Sequence, residues 1–257
     1  MSSSGIETAL VTGANRGLGL AFVEELVDRG TDRVFAAARN VADCVPLVQR
    51  FGATIQPIPL DLADPASIDA AVALTADIDL LVSNAGISLI GPFFDHAEAD
   101  LRAMFEVNFW GPQRLVRGLV PQLRKNGGGI LHVLSMASLL PALSAEGYSA
   151  SKAAAMMAGH GMRHALRADG ISVTLCYPGF IETDLGRAFD VPRAPARLIA
   201  ARALDDWQSG KTSSFPDLFS GMTRDALCQQ MDRVLTDPGK LLEEMVGIFV
   251  NDPDAGR

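Results

Sequence analysis

The chain has 257 residues, 48% of them hydrophobic and 20% charged, with 24 glycines and 3 cysteines. A chain this long buries about three quarters of its unfolded surface, so a disulfide or metal staple is not required. The 22 basic and 30 acidic side chains give a net charge of −8, which disfavours a nucleic-acid partner or an anionic membrane surface.

In chain order, β-branched runs predict strands at Thr8–Thr12, Arg33–Ala38, Thr54–Leu60, Ile78–Ser83, Ile130–Ser135 and Ile171–Cys176. Most are near-continuous apolar runs, the pattern of parallel strands covered on both faces. Between them, helices are expected at Gly19–Arg29, Val41–Phe51, Pro65–Thr75, Glu98–Arg124 and Gly147–Ala168. An irregular loop, Glu182–Pro195, precedes a helix at Ala196–Ser209, a short strand at Thr212–Phe215, and helical stretches near Arg224–Val234 and Lys240–Phe249. This alternation predicts an α/β fold: a doubly wound parallel sheet with helices on both faces. No linker or composition shift divides the chain, so residues 1–257 read as one domain.

The opening segment lacks a basic start followed by a long apolar run, and no uninterrupted apolar stretch reaches about 18 residues. Cys44, Cys176 and Cys228 are widely spaced and form no CxxC pair, which fits a reducing compartment and a cytoplasmic location. His160 and His164 stand i, i+4 on a helix, a zinc-ligand spacing, but no HExxH or third ligand accompanies them, so no metal is expected.

The first strand runs into Thr12-Gly13-Ala14-Asn15-Arg16-Gly17-Leu18-Gly19. Gly13 permits a tight turn, Gly17 a close approach of backbone to ligand, and Gly19 close helix–strand packing. The following helix N-terminus offers free N–H groups to a pyrophosphate. Such a turn also occurs as plain structure; its place between the first strand and first helix favours a dinucleotide. The second strand ends without an acid, whereas Arg39 follows it and Arg16 lies in the glycine turn. An Asp or Glu there usually holds a ribose 2′-hydroxyl and an Arg a 2′-phosphate, so NADP(H) is expected over NAD(H). Each charge-assisted Arg–phosphate bond contributes about 1.5–3 kcal/mol.

Tyr148 and Lys152 are i, i+4 on a predicted helix and face one cleft. A neighbouring cation lowers a phenol's pKa; reaching about 7 from 10 takes roughly 4 kcal/mol, which Lys152 and the positive charge of an oxidised nicotinamide together would supply. Taken alone, the YxxxK pair is equally compatible with a structural role.

The combination resembles the short-chain dehydrogenase/reductase family over roughly residues 6–185. The resemblance rests on Thr12–Gly19, Asp61-Leu62, Asn84-Ala85-Gly86, Asn108, Ser135, Tyr148, Lys152 and Pro178-Gly179, in that order. It implies a Rossmann-like three-layer fold with strand order 3-2-1-4-5-6-7. It also implies that Tyr148 acts as acid or base on a carbonyl or secondary alcohol, with Ser135 bonding the same oxygen. Lys152 is implied to bind the nicotinamide ribose and lower the Tyr148 pKa, and Asn108 to hold a relay water. Asp61 and Leu62 are expected at adenine, Asn84, Ala85 and Gly86 along the cofactor, and Ile181 and Thr183 at the carboxamide. Similarity to the family further implies a homodimer or homotetramer through the helices at Glu98–Arg124 and Gly147–Ala168. Leu134 and Ser83 depart from common family residues, and residues 186–257 lack the Gly-rich ending of many members.

From chain position, Met136, Leu143, Phe180 and Phe189 are the expected substrate contacts, with Ile87, Leu89 and Ile90 nearby. The short loop predicts an open site for a small apolar or aromatic ketone. An NADP-dependent carbonyl reductase or alcohol dehydrogenase is thus the leading expectation. A catalytically silent dinucleotide-binding scaffold, an enone reductase and a biosynthetic ketoreductase are the alternatives.

Overall fold

The computed structural model describes residues 5–75, 77–142, 144–184, 186 and 189–254. Seven strands form one sheet: β1 (Thr8–Thr12), β2 (Arg33–Ala38), β3 (Ile55–Pro59), β4 (Leu80–Ser83), β5 (Gly129–Val133), β6 (Ser172–Cys176) and β7 (Ser213–Ser214). Their spatial order is β3-β2-β1-β4-β5-β6-β7, as expected, and every pair is parallel.

The strands are apolar throughout because both faces are covered. In β1, Ala9 and Val11 enter one core with α1 (Gly17–Asp28) and α7 (Ala196–Gln208), while Leu10 enters the other. That second core contains α3 (Pro65–Leu74), α5 (Gly111–Asn126) and α6 (Glu146–Leu166). On the first face lies α2 (Val45–Phe51), preceded by a 3₁₀ turn at Val41–Cys44 rather than continuing the helix expected from Val41.

The long helix expected at Glu98–Arg124 is present but interrupted. After α4 (Glu98–Phe105), residues Glu106–Trp110 form a π turn that leads into α5. Pro112 has no N–H to give to the carbonyl of Asn108, so the ladder widens there. The Gly111 N–H instead reaches the Glu106 carbonyl. This places Asn108 at an irregular point of an otherwise regular helix.

The C-terminal region departs most from expectation. The helix predicted near Arg224–Val234 is two helices, α8 (Leu218–Gln229) and α9 (Met231–Thr236), followed by α10 (Pro238–Val250). Asp217 caps α8 and Asp237 caps α10. These helices build a third apolar cluster in which Phe219, Leu241, Leu242, Met245 and Phe249 pack against Met136, Ala137 and Leu140. Tyr148 and Phe180 pack on the same cluster. Among the described residues, no helix is long and apolar enough to cross a membrane.

Candidate active site

A cleft of about 1110 Å³ runs along the C-terminal ends of the strands. After β1 it is lined by Gly13, Asn15, Arg16, Gly17, Leu18 and Gly19, after β2 by Arg39, and after β3 by Asp61 and Leu62. Asn84, Ala85 and Gly86 follow β4, and Ser135 and Met136 follow β5. Pro178, Gly179, Phe180, Ile181, Thr183 and Phe189 follow β6, and α6 contributes Tyr148 and Lys152. The fold thus brings nearly all the sequence-predicted site residues to one cavity. Leu143 lies outside the described residues. Leu89 and Ile90 do not line the cleft, and Ile90 is exposed instead.

The glycine turn is shaped by close approach. Gly13 and Gly17 have φ of +66° and +55°, values that favour glycine. A Cβ on Gly19 would stand 2.0 Å from the Gly13 carbonyl oxygen, so no other residue fits there. Thr12, to which sequence reasoning gave no role, fixes this turn to the end of β4. Its hydroxyl accepts the Asn84 and Ala85 N–H groups, both at 2.9 Å, while the Asn84 amide donates to the Thr12 carbonyl at 2.9 Å. Helix α1 has no side-chain cap and no acid in its first turn. Its first N–H groups face the cleft, an arrangement that favours an anion.

Two arginines reach this end, as expected, but they share it with two acids, Asp184 and Asp43. Arg16 pairs with Asp184 at 3.1 Å, and both side chains are largely exposed. Asp43 also lines the cleft, because the 3₁₀ turn folds it back over the loop after β2. Its carboxylate accepts from Asn15 at 3.3 Å and from Asn40 at 3.2 Å. An acid does therefore stand near the second strand's end, four residues beyond Arg39. Arg39 has no ion-pair partner among the described residues.

At the other end Lys152 is 4% exposed, and its Nζ donates to the Val133 carbonyl at 3.0 Å. Burial pushes its ammonium down to about 8. Tyr148 is also pushed, by desolvation, up to about 12, with the Ser135 hydroxyl opposing that rise. In the cofactor-free protein Lys152 does not offset this rise. The ammonium points to a carbonyl and stands 5.9 Å from the Tyr148 ring centroid, while desolvation governs both groups. The tyrosine is consequently a neutral O–H donor.

Asn108 is buried behind the cleft rather than in it. Its amide exchanges two hydrogen bonds with the Ile87 backbone, at 2.9 and 2.8 Å, and donates to Ser151 Oγ at 2.9 Å. Ser151 in turn donates to the Tyr148 carbonyl at 2.7 Å. The side chain thus braces the loop after β4 against the helix that carries Tyr148.

Sequence reasoning missed Leu242, Glu243 and Val246 of α10, which line the cleft together with Met136 and Phe180. Their i, i+4 apolar spacing was visible, but nothing local indicates which cavity the helix covers. Phe189 lies 5.5 Å, centroid to centroid, from Phe180. Among the described residues, no cluster of three or more potential metal ligands occurs. His160 lies 2.8 Å from an Arg163 nitrogen on the helix surface.

The comparisons agree with this geometry. The family model described as short chain dehydrogenase matches residues 7–192. A 1-deoxy-11-beta-hydroxypentalenate dehydrogenase from Streptomyces avermitilis is 30% identical over 196 residues, 72% of this chain and 73% of that protein. A 3-oxoacyl-[acyl-carrier-protein] reductase from Salmonella typhimurium is 31% identical over 190 residues, 70% of this chain and 75% of that one. Among solved structures, a short chain dehydrogenase from Burkholderia cenocepacia in complex with NADP superposes with a TM-score of 0.83 at 30% identity. That superposition covers 89% of this chain and 97% of the other. With its motifs, strand order and cleft all in agreement, the chain belongs to the short-chain dehydrogenase family.

Proposed function

We propose that this protein is an NADP(H)-dependent oxidoreductase acting on the carbonyl, or the corresponding secondary alcohol, of a small apolar or aromatic substrate. The observation that carries the reading is one cleft with an anion-binding glycine turn and two arginines at one end and Ser135, Tyr148 and Lys152 at the other. The uncapped first turn of α1 and the crowded glycines suit a pyrophosphate, which is the fit a dinucleotide requires. NADP in the Burkholderia relative supports the choice of cofactor. When bound, the nicotinamide supplies the hydride.

The chain's own residues do the rest. Ser135 Oγ and the Tyr148 hydroxyl hydrogen-bond the substrate oxygen, and the phenol gives it a proton in reduction. A phenol held near 12 in the cofactor-free protein carries its proton at neutral pH, and its donation draws on the cations that stabilise the phenolate. Lys152, with its ammonium near 8, is the nearby cation that stabilises the phenolate left behind. Both Asn108 amide hydrogens and its Oδ1 have protein partners, and a proton relay at this residue runs through its backbone carbonyl, which Pro112 leaves without a helical donor. Phe180, Phe189, Met136, Leu242 and Val246 supply the apolar wall that selects the substrate. Self-association through α4–α5, whose connecting π turn leaves Trp110 exposed, and α6, which leaves Met157 exposed, belongs to the same reading.

A screen of NADPH consumption over ketones, aldehydes and enones, repeated with NADH, tests it. Turnover of apolar ketones with NADPH preferred is expected. A clear NADH preference contradicts the role of the arginines, and no turnover across the panel contradicts the enzymatic reading.

A further inference from the structure

Beyond the stretch that the family model matches, one buried carboxylate reaches back into the site. Asp217 is 6% exposed and does not line the cleft. Its Oδ1 accepts the Ser220 N–H at 2.9 Å, and the Ser220 hydroxyl bonds the Asp217 N–H at 3.1 Å, closing a capping box on α8. Its second oxygen does something a cap does not need: Oδ2 accepts the Gly179 N–H at 2.8 Å. The approach is so close that a Cβ on Gly179 would meet Oδ1 at 2.6 Å.

The loop held in this way carries the site. The Pro178 carbonyl accepts the Met136 N–H at 2.9 Å, immediately after Ser135, whose own Oγ accepts the Ala137 N–H at 3.1 Å. Phe180, the next residue after Gly179, packs on Phe219 of α8 with centroids 4.9 Å apart. The carboxylate therefore joins α8, the loop after β6 and the Ser135 turn in one hydrogen-bonded chain. Capping alone does not require an acid, since Ser or Asn serves as well at an N-cap. Asp217 has no cationic partner among the described residues, and burial pushes its carboxyl up from the ordinary value. Keeping a charge in such a place is costly unless its hydrogen bonds are used.

We propose that Asp217 is a positioning residue that holds the Pro178–Phe180 loop, and through it the Ser135 turn, in the geometry that binds the nicotinamide end of the cofactor and the substrate carbonyl. The inference rests on the functional reading above, but its structural half is testable without it.

Two variants separate the clamp from the cap. Asp217→Ser keeps a hydroxyl for the Ser220 N–H but is too short to reach Gly179, whereas Ser220→Ala opens the capping box and leaves the Gly179 bond. In the cofactor-free protein, hydrogen exchange at the Gly179 amide accelerates roughly tenfold or more in Asp217→Ser and is unchanged in Ser220→Ala, as expected for one hydrogen bond to a charged group. With cofactor and ketone, Asp217→Ser raises the ketone KM and the NADPH Kd about tenfold, and Ser220→Ala lowers the Tm while leaving both constants alone. Should Asp217→Ser fail to fold, Asp217→Asn, which retains the bulk and one acceptor, is expected to show the same split at smaller amplitude. Unchanged Gly179 exchange in the Asp217 variant overturns the clamp. Equal kinetic losses in Asp217→Ser and Ser220→Ala show that capping alone matters, and also overturn it. If the wild-type protein reduces no carbonyl, the functional reading fails while the exchange measurement still decides the clamp.

Discussion

Replacing Lys152 by Met is expected to stabilise the cofactor-free protein while removing its activity. The ammonium is 4% exposed and shifts from an ordinary 10.5 to about 8. A folded-state value below the unfolded one means that the charged form opposes folding. The cost is fully felt below pH 8 and disappears as pH rises through the unfolded value. A shift of this size corresponds to about 3 kcal/mol at neutral pH. Met retains the apolar stem but leaves the Val133 carbonyl without its donor, which returns roughly 1–2 kcal/mol of that gain. A net gain of about 1–2 kcal/mol, or roughly 2–6 °C in Tm, is expected for a chain of this size. Urea unfolding of both proteins at two pH values is the assay. Between about pH 7 and pH 9 the wild type gains roughly 1 kcal/mol relative to Lys152→Met, because only the wild type sheds the buried proton. Tyr148 and Tyr177, both pushed up to about 12 by burial, lose stability at high pH equally in the two proteins and cancel in the difference. A destabilised Lys152→Met protein with no pH-dependent difference refutes the account of the buried cation.

Three further substitutions test the cofactor end. Arg39→Ala is expected to weaken NADPH binding about tenfold and leave NADH unchanged, measured as Kd by quenching of intrinsic fluorescence. Asp43→Asn keeps one acceptor oxygen, for Asn15 or Asn40, and removes a negative charge from the same end, so NADPH affinity should rise a few-fold relative to NADH. The opposite sign in either variant rules out a 2′-phosphate between them. Gly19→Ala places a methyl against the Gly13 carbonyl, where the gap is 2.0 Å. It should lower the Tm by several degrees and abolish dinucleotide binding; full cofactor affinity in that variant contradicts the turn geometry.

The sheet was legible because a parallel strand covered on both faces leaves a continuous apolar run, and β1 and β2 begin and end where the composition says. Where the pattern fades, so did the reading. The last strand shrinks to Ser213–Ser214 because only two residues pair with β6 before Pro216 turns the chain away. The boundary of α8 was written in Asp217 and Ser220, a D-x-x-S cap, but hydrophobic periodicity further along drew the predicted start to Arg224. Tyr148, Lys152 and the glycine turn were found from local spacing, since their chemistry depends on neighbours in sequence, and Ser135 from the resemblance to the family. Asp43, Asp217 and α10 were not, because each acts through a contact that crosses the fold: Asp43 to Asn15, Asp217 to Gly179, and Leu242 and Val246 to the wall beside Phe180. Nor does a sequence display the desolvation that lifts the Tyr148 phenol in the cofactor-free protein, against which Lys152 and an oxidised nicotinamide would have to act.

The central claim is that Tyr148 protonates a carbonyl oxygen while a reduced nicotinamide in the same cleft delivers hydride to the carbon. It is tested most directly with NADPH deuterated at the transferable position, an apolar aryl ketone and NMR of the product. The wild type is predicted to place deuterium on the carbinol carbon as a single stereoisomer. Tyr148→Phe is predicted to bind NADPH with unchanged Kd while transferring label about 10²–10⁴-fold more slowly. Undiminished label transfer in Tyr148→Phe, or no label transfer in a wild type that binds NADPH, contradicts the account.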